Sequence, residues 1–583
     1  MRFGWKVLFV ETLRLLPSKE EFFVLFDYYL QHIEPVLNYV NSILMREEIE
    51  MLYKNVDSLR VKECSDRSGK SVETEGSVID SYPSFWTEDK NLGLLSVAYA
   101  ITYFVYDSMQ LGELQNREWM RDCKDSEDKI GLMEQIYAES EYQLRESEYR
   151  RNPTLWTIQA ILLQQRRHFR MKDFVTATLW HSTAVRLAQS MGLNRLGDTK
   201  ADLEYLRGMA ETPSKPEVFL NGLGRYQVYK HNDAARREVA RKVWTALVTH
   251  DWLTATQLDL TYCVSEAMHN TSVPAMLSDR EVLSLAALPL EIVEAPLRSA
   301  GNQYLEFKMQ MARNARRLCE TCCESIARMG VPLPSYEIVQ KIDHNLRAIS
   351  SQLPEHLVLD YAQLRAKAPE SLQDGNTSAL IQRLMLHETL EHQLLSLHTI
   401  YLKSGLEDMQ YQRSVVGCIE AASNLLTIWG PLQLHPIGKS PQLKWHLLVA
   451  GGALAYVVGA KIAHGETDSM RGIELESIQN LLEVATDFLE KIRLENNVGP
   501  YGLDYSVSTL RQYCRVDKAK SLHGDSHVDS SNHQVDQVTL PDLDAYLQGV
   551  QWLNPNEPGN HFFLAAEISD IYSVDGSHSR DTA

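Results

Sequence analysis

The sequence predicts an all-α protein of two helical lobes followed by a flexible acidic tail. Apolar residues recur at three- and four-residue steps along most of the chain, helix-start signals are frequent, and convincing two-residue alternation of the kind that marks strands is absent. At 583 residues the chain is long enough for several domains and a large core. Its 44% hydrophobic and 23% charged residues place it with soluble globular proteins, not with disordered or membrane-embedded ones.

The N-terminal helices occupy residues 1–57. Their first apolar run, Val7 to Val10, is cut by Glu11 and is too short for a secretory signal. Ser18 with Glu21 forms a capping box, and Phe22, Leu25, Phe26, Tyr29, Leu30 and Ile33 fall on one face of the helix it opens. Residues 58–91 are rich in Ser, Glu and Lys and read as a mobile polar loop. The main helical core spans 92–290 and closes with a second capping box, Ser278 with Glu281, flanked by a staple of Leu277 and Val282.

A C-terminal helical lobe spans 291–514. Met311, Ala315, Leu318, Cys322 and Ile326 make one buried stripe there, and Ile419, Ala422, Leu426 and Trp429 another. Gly451, Ala455, Gly459 and Ala463 form a small-residue ridge that suits a central core helix in close contact with a neighbour. The longest uncharged apolar run, Leu447 to Ala460, is 14 residues, about 21 Å and short of a ~30 Å hydrocarbon core. Residues 515–583 form a low-complexity linker and an acidic-hydrophobic tail. From Ser521 onward there are ten acidic residues and one basic residue, Arg580, which supply −9 of the net charge of −19.

Several fragments imitate catalytic or metal sites and fail on spacing. His387 and His392 flank Glu388 but are five apart, where a zinc-binding helix needs four to bring both rings to one ion. A solvated charged face accounts for them. Ser68-Gly69-Lys70-Ser71 and Gly438-Lys439-Ser440 end like phosphate loops, yet Cys64 and Gln433 stand where the first glycine is required.

The eight cysteines are too scattered for a disulfide scaffold. Cys319, Cys322 and Cys323 read as buried free thiols. The paired arginines 150–151, 166–167, 236–237 and 316–317 read as surface charge, and no run of five basic residues marks a nucleic-acid arm. The chain offers no catalytic constellation, so we expect no enzyme, no catalytic or metal-binding residue, and no cofactor.

Three segments carry a resemblance. The first is Leu16 to Glu21, then Phe26-Asp27-Tyr28-Tyr29-Leu30 and Ile33-Glu34-Pro35. The second contains Pro153, Ile158-Gln159-Ala160 and the helix Trp180-His181-Ser182-Thr183-Ala184-Val185-Arg186-Leu187-Ala188-Gln189-Ser190-Met191, ending in Gly192-Leu193. The third holds Arg236-Arg237-Glu238, Arg241-Lys242-Val243-Trp244 and Asp251-Trp252. Together they resemble the fungal-specific transcription factor domain, the middle homology region that follows the zinc binuclear-cluster DNA-binding module in many fungal regulators.

The residues also make physical sense alone. Ala184, Leu187, Ala188 and Met191 share an apolar face, and Gly192 can take the left-handed conformation that ends a helix. Trp244, Leu247 and Val248 form a buried stripe, leaving Arg241 and Asp251 to face solvent or pair. The family-motif residues Pro153, Gln159, Trp180, Ala184, Arg186, Ala188, Gly192, Leu193, Arg237, Trp244 and Asp251 are therefore expected to be structural.

The resemblance implies a nuclear transcriptional regulator of RNA polymerase II genes, specific to a pathway or gene cluster. Its expected partners are the transcription machinery or a coactivator, with a homo- or heterodimer contact and no membrane. The family's six-cysteine cluster does not occur in this sequence. DNA contact and zinc are thus expected only through an N-terminal module outside it, or, for DNA, through a partner. The alternative is an interaction protein without DNA binding that modulates a full-length relative. In the tail, Asp542, Leu543, Asp544, Tyr546, Leu547, Trp552, Phe562 and Phe563 mix acidic and bulky apolar residues, a composition that suits either a coactivator groove or docking on the core.

Overall fold

The structure is a computed structural model. It describes residues 15–67, 90–109, 124–170, 173–202, 234–256, 260–284, 300–366, 377–464, 474–495 and 507–514, with positions 112, 114 and 204. Among these residues every regular element is a helix, and there is no strand. The chain divides into two compact units. The first comprises Met1–Arg316, Ile349–His387 and Pro431–Pro441; the second comprises Arg317–Ala348, Glu388–Gly430 and Gln442–Ala583.

In the first unit, α1 (Lys19–His32) starts at the predicted capping box. The Ser18 hydroxyl accepts from the Glu21 amide, and the Glu21 carboxylate accepts from the Ser18 amide at 2.8 Å. Phe22, Leu25, Phe26 and Tyr29 on its inner face are fully buried. The short α2 (Glu34–Leu37) ends at Asn38 in the left-handed conformation. Helix α3 (Ser42–Arg67) runs past residue 57 into the stretch assigned to a polar loop, and residues 68–89 lie outside the described residues.

Helix α4 (Lys90–Ser108) is the centre of this unit. From Leu92 to Phe104 it is apolar on nearly all sides, as a helix surrounded by others must be. It packs against α1, α5 (Ser126–Glu146) and α6 (Leu155–Arg170). Buried polar groups tie three of these helices together. Ser96 and Ser140 each donate to the other's carbonyl at 2.8 Å, and the Gln164 amide donates to both hydroxyls at 3.2 and 2.8 Å. Helices α7 (Phe174–Ser190) and α8 (Ala234–Ala255), with the five-residue α9 (Asp279–Leu283) at its own Ser278–Glu281 capping box, complete the family-like segments.

Helix α10 (Ala300–Met329) passes from the first unit into the second. Its stripe is buried at Met311, Ala315, Leu318 and Cys322 but fails at Ile326, which is 43% exposed in the last turn beside exposed Met329. The apolar period there outlasts the cover. The chain continues through α11 (Tyr336–Ser351), α12 (Tyr361–Ala366), α13 (Thr377–Thr399), α14 (Leu402–Glu407), α15 (Gln412–Leu432), α16 (Pro441–His464), α17 (Leu475–Glu495) and a final helical stretch, 507–514.

Gly451, Ala455 and Gly459 of the small-residue ridge of α16 are buried in the second unit. A methyl group at Gly451 would meet Leu510 at 3.1 Å, Ala485 at 3.6 Å and Leu489 at 3.8 Å, so the missing side chain is where α17 and 507–514 come close. Leu443–Ile462 is long and apolar enough to cross a membrane by length and composition, yet 72% of it is buried within the protein, as a core helix is.

Candidate functional site

The family-motif residues are distributed over two places in the first unit. Pro153 is buried just ahead of α6, whose first turn is capped by the Thr154 hydroxyl on the Thr157 amide. Gln159, one turn on, donates to the Tyr39 carbonyl at 2.6 Å and so fastens α6 to the turn after α2. Beneath that turn the Glu34 carboxylate accepts from the Tyr29 hydroxyl at 2.8 Å and the Val40 amide at 2.9 Å. Burial pushes the Glu34 carboxyl up to about 7, against the pull of Lys242 and these bonds. Trp180 stacks on Tyr149 and His168, and Arg186 is exposed with its guanidinium on Gln189.

The second place is a knot around the end of α7. Ala184 and Ala188 are fully buried, and Gly192 takes φ 84°, a left-handed conformation that costs any other residue strain. The chain then turns through the buried Leu193 to Leu196 and Gly197, where two arginines of α8 receive it. Arg237 binds both oxygens of Asp202 at 2.7 Å and the Leu196 carbonyl at 3.0 Å. Arg241 bonds Asp202 and Glu238 at 2.5 Å each and the carbonyls of Leu196, Gly197 and Asp198 at 3.1 Å.

Arg241 is 0% exposed. Burial disfavours its charge, but Glu238 and Asp202 outweigh that and raise its pKa. Of the two fates the sequence leaves to Arg241 and Asp251, both residues take pairing. Arg237 and Arg316, expected at the surface, lie largely buried in ion pairs, Arg237 with the buried Asp202 and Arg316 with the half-exposed Glu266.

A strap over residues 260–278 lies across this knot. Asp251 accepts from the amides of Cys263 and Val264 at 2.8–2.9 Å, and the Trp252 indole donates to the Val264 carbonyl at 2.7 Å. Thr271 bonds Leu193 and Leu196, Ser272 bonds Gly197, and the Ala275 amide bonds Glu238 at 2.9 Å. His181 approaches Asp251 at 3.5 Å, and burial with the nearby His181 holds His250 well below the usual imidazole range.

The structure thus brings Gly192, Leu193, Arg237 and Asp251 to one buried framework. Pro153, Gln159, Trp180 and Arg186 are engaged elsewhere. Sequence reasoning missed Asp202, Thr199 and Thr271; of the framework's acids, Glu238 and Asp251 stood inside quoted segments.

In the second unit, Asp343, His398 and Ser414 imitate a hydrolase triad. His398 lies 3.2 Å from Asp343 through Nε2 and 3.2 Å from Ser414 through Nδ1. All three are at most 1% exposed, and Asp343 is also held by Arg347 at 2.7 Å and by Arg413 at 2.5 Å. Burial alone would raise the Asp343 carboxyl; the bonds from His398 and Arg347 hold it far below the carboxylate range. A hydroxyl shut off from substrate is no nucleophile, whatever its neighbours.

The charged stretch of α13 is not a solvated face. His387, Glu388, Glu391 and His392 are all under 8% exposed. They face different partners. In the first unit His387 bonds Leu357, Leu359 and Tyr361. In the second, Glu388 pairs with His446 and His392 stacks on the His446 ring at 3.4 Å.

Gly438 sits in a 3-10 turn where a side chain would strike the Leu432 carbonyl, which is a reason for glycine unrelated to phosphate. Residues 68–71 lie outside the described residues. Cys319 and Cys322 are buried thiols, but Cys323 is exposed because it points off the stripe. Among the described residues no group of three or more His, Cys, Asp or Glu is placed to hold a metal ion. The tail residues Asp542 to Phe563 lie outside the described residues.

Residues 78–289 match the family described as the fungal specific transcription factor domain. A Zn(2)-C6 fungal-type transcription factor, pigI of Monascus ruber, is 26% identical over 223 residues, 37% of this chain and 25% of that protein. The Zn(2)-C6 fungal-type transcription factor mpsB of Macrophomina phaseolina is 25% identical over 272 residues, 46% of this chain and 34% of its own. The pyrrolocin cluster transcription factor fsdR of a fungal species is 25% identical over 193 residues, 33% of this chain and 23% of its own. The chain thus aligns with only a quarter to a third of the length of these relatives.

Proposed function

We propose, from the fungal specific transcription factor domain that residues 78–289 match, that this chain regulates RNA polymerase II transcription of a pathway or gene cluster. That match carries the reading, and the buried framework of Gly192, Arg237, Arg241 and Asp251 supports it: these residues build the domain's core, not a reaction centre. The family is one of transcription factors, not of enzymes. The chain acts in the nucleus and recruits the transcription machinery or a coactivator, and it forms a homodimer or heterodimer. It needs no cofactor of its own; zinc and direct DNA contact belong to a cysteine-cluster module, and DNA is otherwise reached through a partner.

A reporter assay tests this. Residues 521–583 tethered to a foreign DNA-binding domain should change transcription, and the full chain fused likewise should do so more under regulated conditions. A silent reporter with and without the tail counts against activation. The second reading, a protein without DNA binding that modulates a full-length relative, is motivated by the lack of a six-cysteine cluster in this sequence. Full-length transcript sequencing separates the two: an upstream segment encoding six closely spaced cysteines sinks it.

A further inference from the structure

The strap over residues 260–278 is bonded at nearly every step, and His269 is the exception. The Asn194 amide donates to the Met268 carbonyl at 3.0 Å, and the Asn270 amide donates to the Asn194 carbonyl at 3.0 Å. Between them the His269 ring stands 5.9 Å from the ring of Trp244 and 5.8 Å from that of Trp252. Both ring nitrogens are buried with no partner at hydrogen-bond geometry; the Glu266 carboxylate and the Thr271 backbone favour a proton there.

Two neighbours share the deficit. The Trp244 indole N–H is unpartnered on a side chain only 1% exposed, and the Asn194 side-chain oxygen is unpartnered on one 7% exposed. Native proteins leave few such atoms, and each calls for an explanation. Three side chains, one on the strap, one on α8 and one in the turn after Gly192, hold four such atoms, a concentration that packing alone does not explain.

We propose that this strap binds a small, neutral, flat molecule carrying adjacent hydrogen-bond donor and acceptor groups, as a lactam or other cyclic amide does, against Trp244, Trp252 and His269. The unpartnered set matches that chemistry. Trp244 offers a donor, Asn194 an acceptor, and a neutral imidazole one of each. Burial lowers the pKa of His269, which keeps the ring neutral. Charge argues against an anion, since Arg313 and Arg316 are both engaged by Glu266 at 3.4 and 3.1 Å. The same pairs argue against a cation by occupying the only carboxylate described beside the ring. Arg316 also lies 5.0 Å over the Trp252 ring, so that indole face is covered.

The binding is independent of the transcriptional reading. It is measured on the purified chain, so its failure leaves that reading standing, and a silent reporter leaves the binding intact. The probe is 2-pyridone, a flat cyclic amide, followed by ligand-observed NMR on the full chain. A dissociation constant on the order of 1 mM is expected for so small a ligand. N-methyl-2-pyridone, which lacks the donor, should bind at least about tenfold more weakly, and Trp244→Phe and His269→Phe should each weaken 2-pyridone about fivefold or more. Cys323→Ser should change nothing.

Equal binding of the two pyridones, unaltered binding by both variants, or no binding below about 50 mM overturns the proposal. So does a Trp244→Phe chain that gains thermal stability and binds as before, because the unpartnered N–H would then be a packing cost only. If both variants fail to fold, wild-type chain labelled with 5-fluorotryptophan decides. A titration that shifts none of its ten indole signals overturns the site, and one that shifts them supports it.

Discussion

Replacing Arg241 with methionine is expected to destabilise the first unit by about 3–5 kcal/mol, the range for removing one partner of a buried ion pair. The structure says where that energy lies. Glu238 is 3% exposed and, besides Arg241, accepts only from the Thr199 hydroxyl and the Ala275 amide, so methionine leaves a buried carboxylate without a cation. Asp202 keeps Arg237, the Leu196 carbonyl keeps Arg237, and the Gly197 carbonyl keeps the Ser272 amide, so these groups add less.

Calorimetry of the full chain reads the effect. At roughly 2–4 °C per kcal/mol for a unit of this size, the transition containing the first unit should fall by about 6–20 °C. Arg241→Lys should fall less, because it keeps the charge and loses the fork that reaches two carboxylates at once. Adding Glu238→Gln to Arg241→Met should restore more than half of the loss, since the two residues are coupled. A fall of under about 2 °C, or strictly additive losses in the double variant, would refute the reasoning.

Other outcomes follow from the same geometry. Acidification should destabilise the chain, because burial holds His387 and His435 at about 4 and His250 and His392 well below their usual range. These groups favour the fold above pH 6.5, and their contribution is lost as pH falls toward 4, about 3 kcal/mol for His387 alone. Glu34, raised to about 7, opposes this between pH 7 and 4.5 but is one group against four. A melting temperature at pH 5 equal to or above that at pH 7.5 contradicts this.

Gly417→Ala should destabilise by about 1–3 kcal/mol despite alanine's helix preference, because its methyl would collide with the His398 ring; a rise in stability on denaturant titration rules out this packing. A serine-directed fluorophosphonate should leave Ser414 unlabelled in the folded chain, and its labelling would reopen the hydrolase reading. Thiol alkylation mapped by mass spectrometry should mark Cys323 well before Cys319, Cys322 and Cys418, whose thiols are buried and, through that burial, raised in pKa.

The helices themselves were legible because capping and periodicity are local. Ser18 with Glu21 and Ser278 with Glu281 each announce a helix start within four residues, and the structure places both boxes there. Gly192 was legible for the same reason: one backbone angle asks for one residue type. The charged residues were not legible, because charge predicts exposure only when no partner arrives from elsewhere. Arg241 meets Asp202 across thirty-nine positions and Asp343 meets His398 across fifty-five, separations that leave no local mark. The stretch from His387 to His392 was misread as a solvated face on the same ground. His269 carried no signal at all, since an imidazole without partners looks like any other in a string of letters.

The central position of α4 bears on how this gene can be cut and rejoined. The stretch recognised as a family module begins at residue 78, but Phe22, Leu25, Phe26, Tyr29, Ile49 and Tyr53 belong to the same core cluster as α4. The matched stretch and the folding unit therefore have different edges. A transcript that starts at the module's first residue would yield a protein with its innermost helix bare on one side, a candidate for quality-control degradation. An exchange between related genes would keep this fold only if the crossover fell upstream of Leu16.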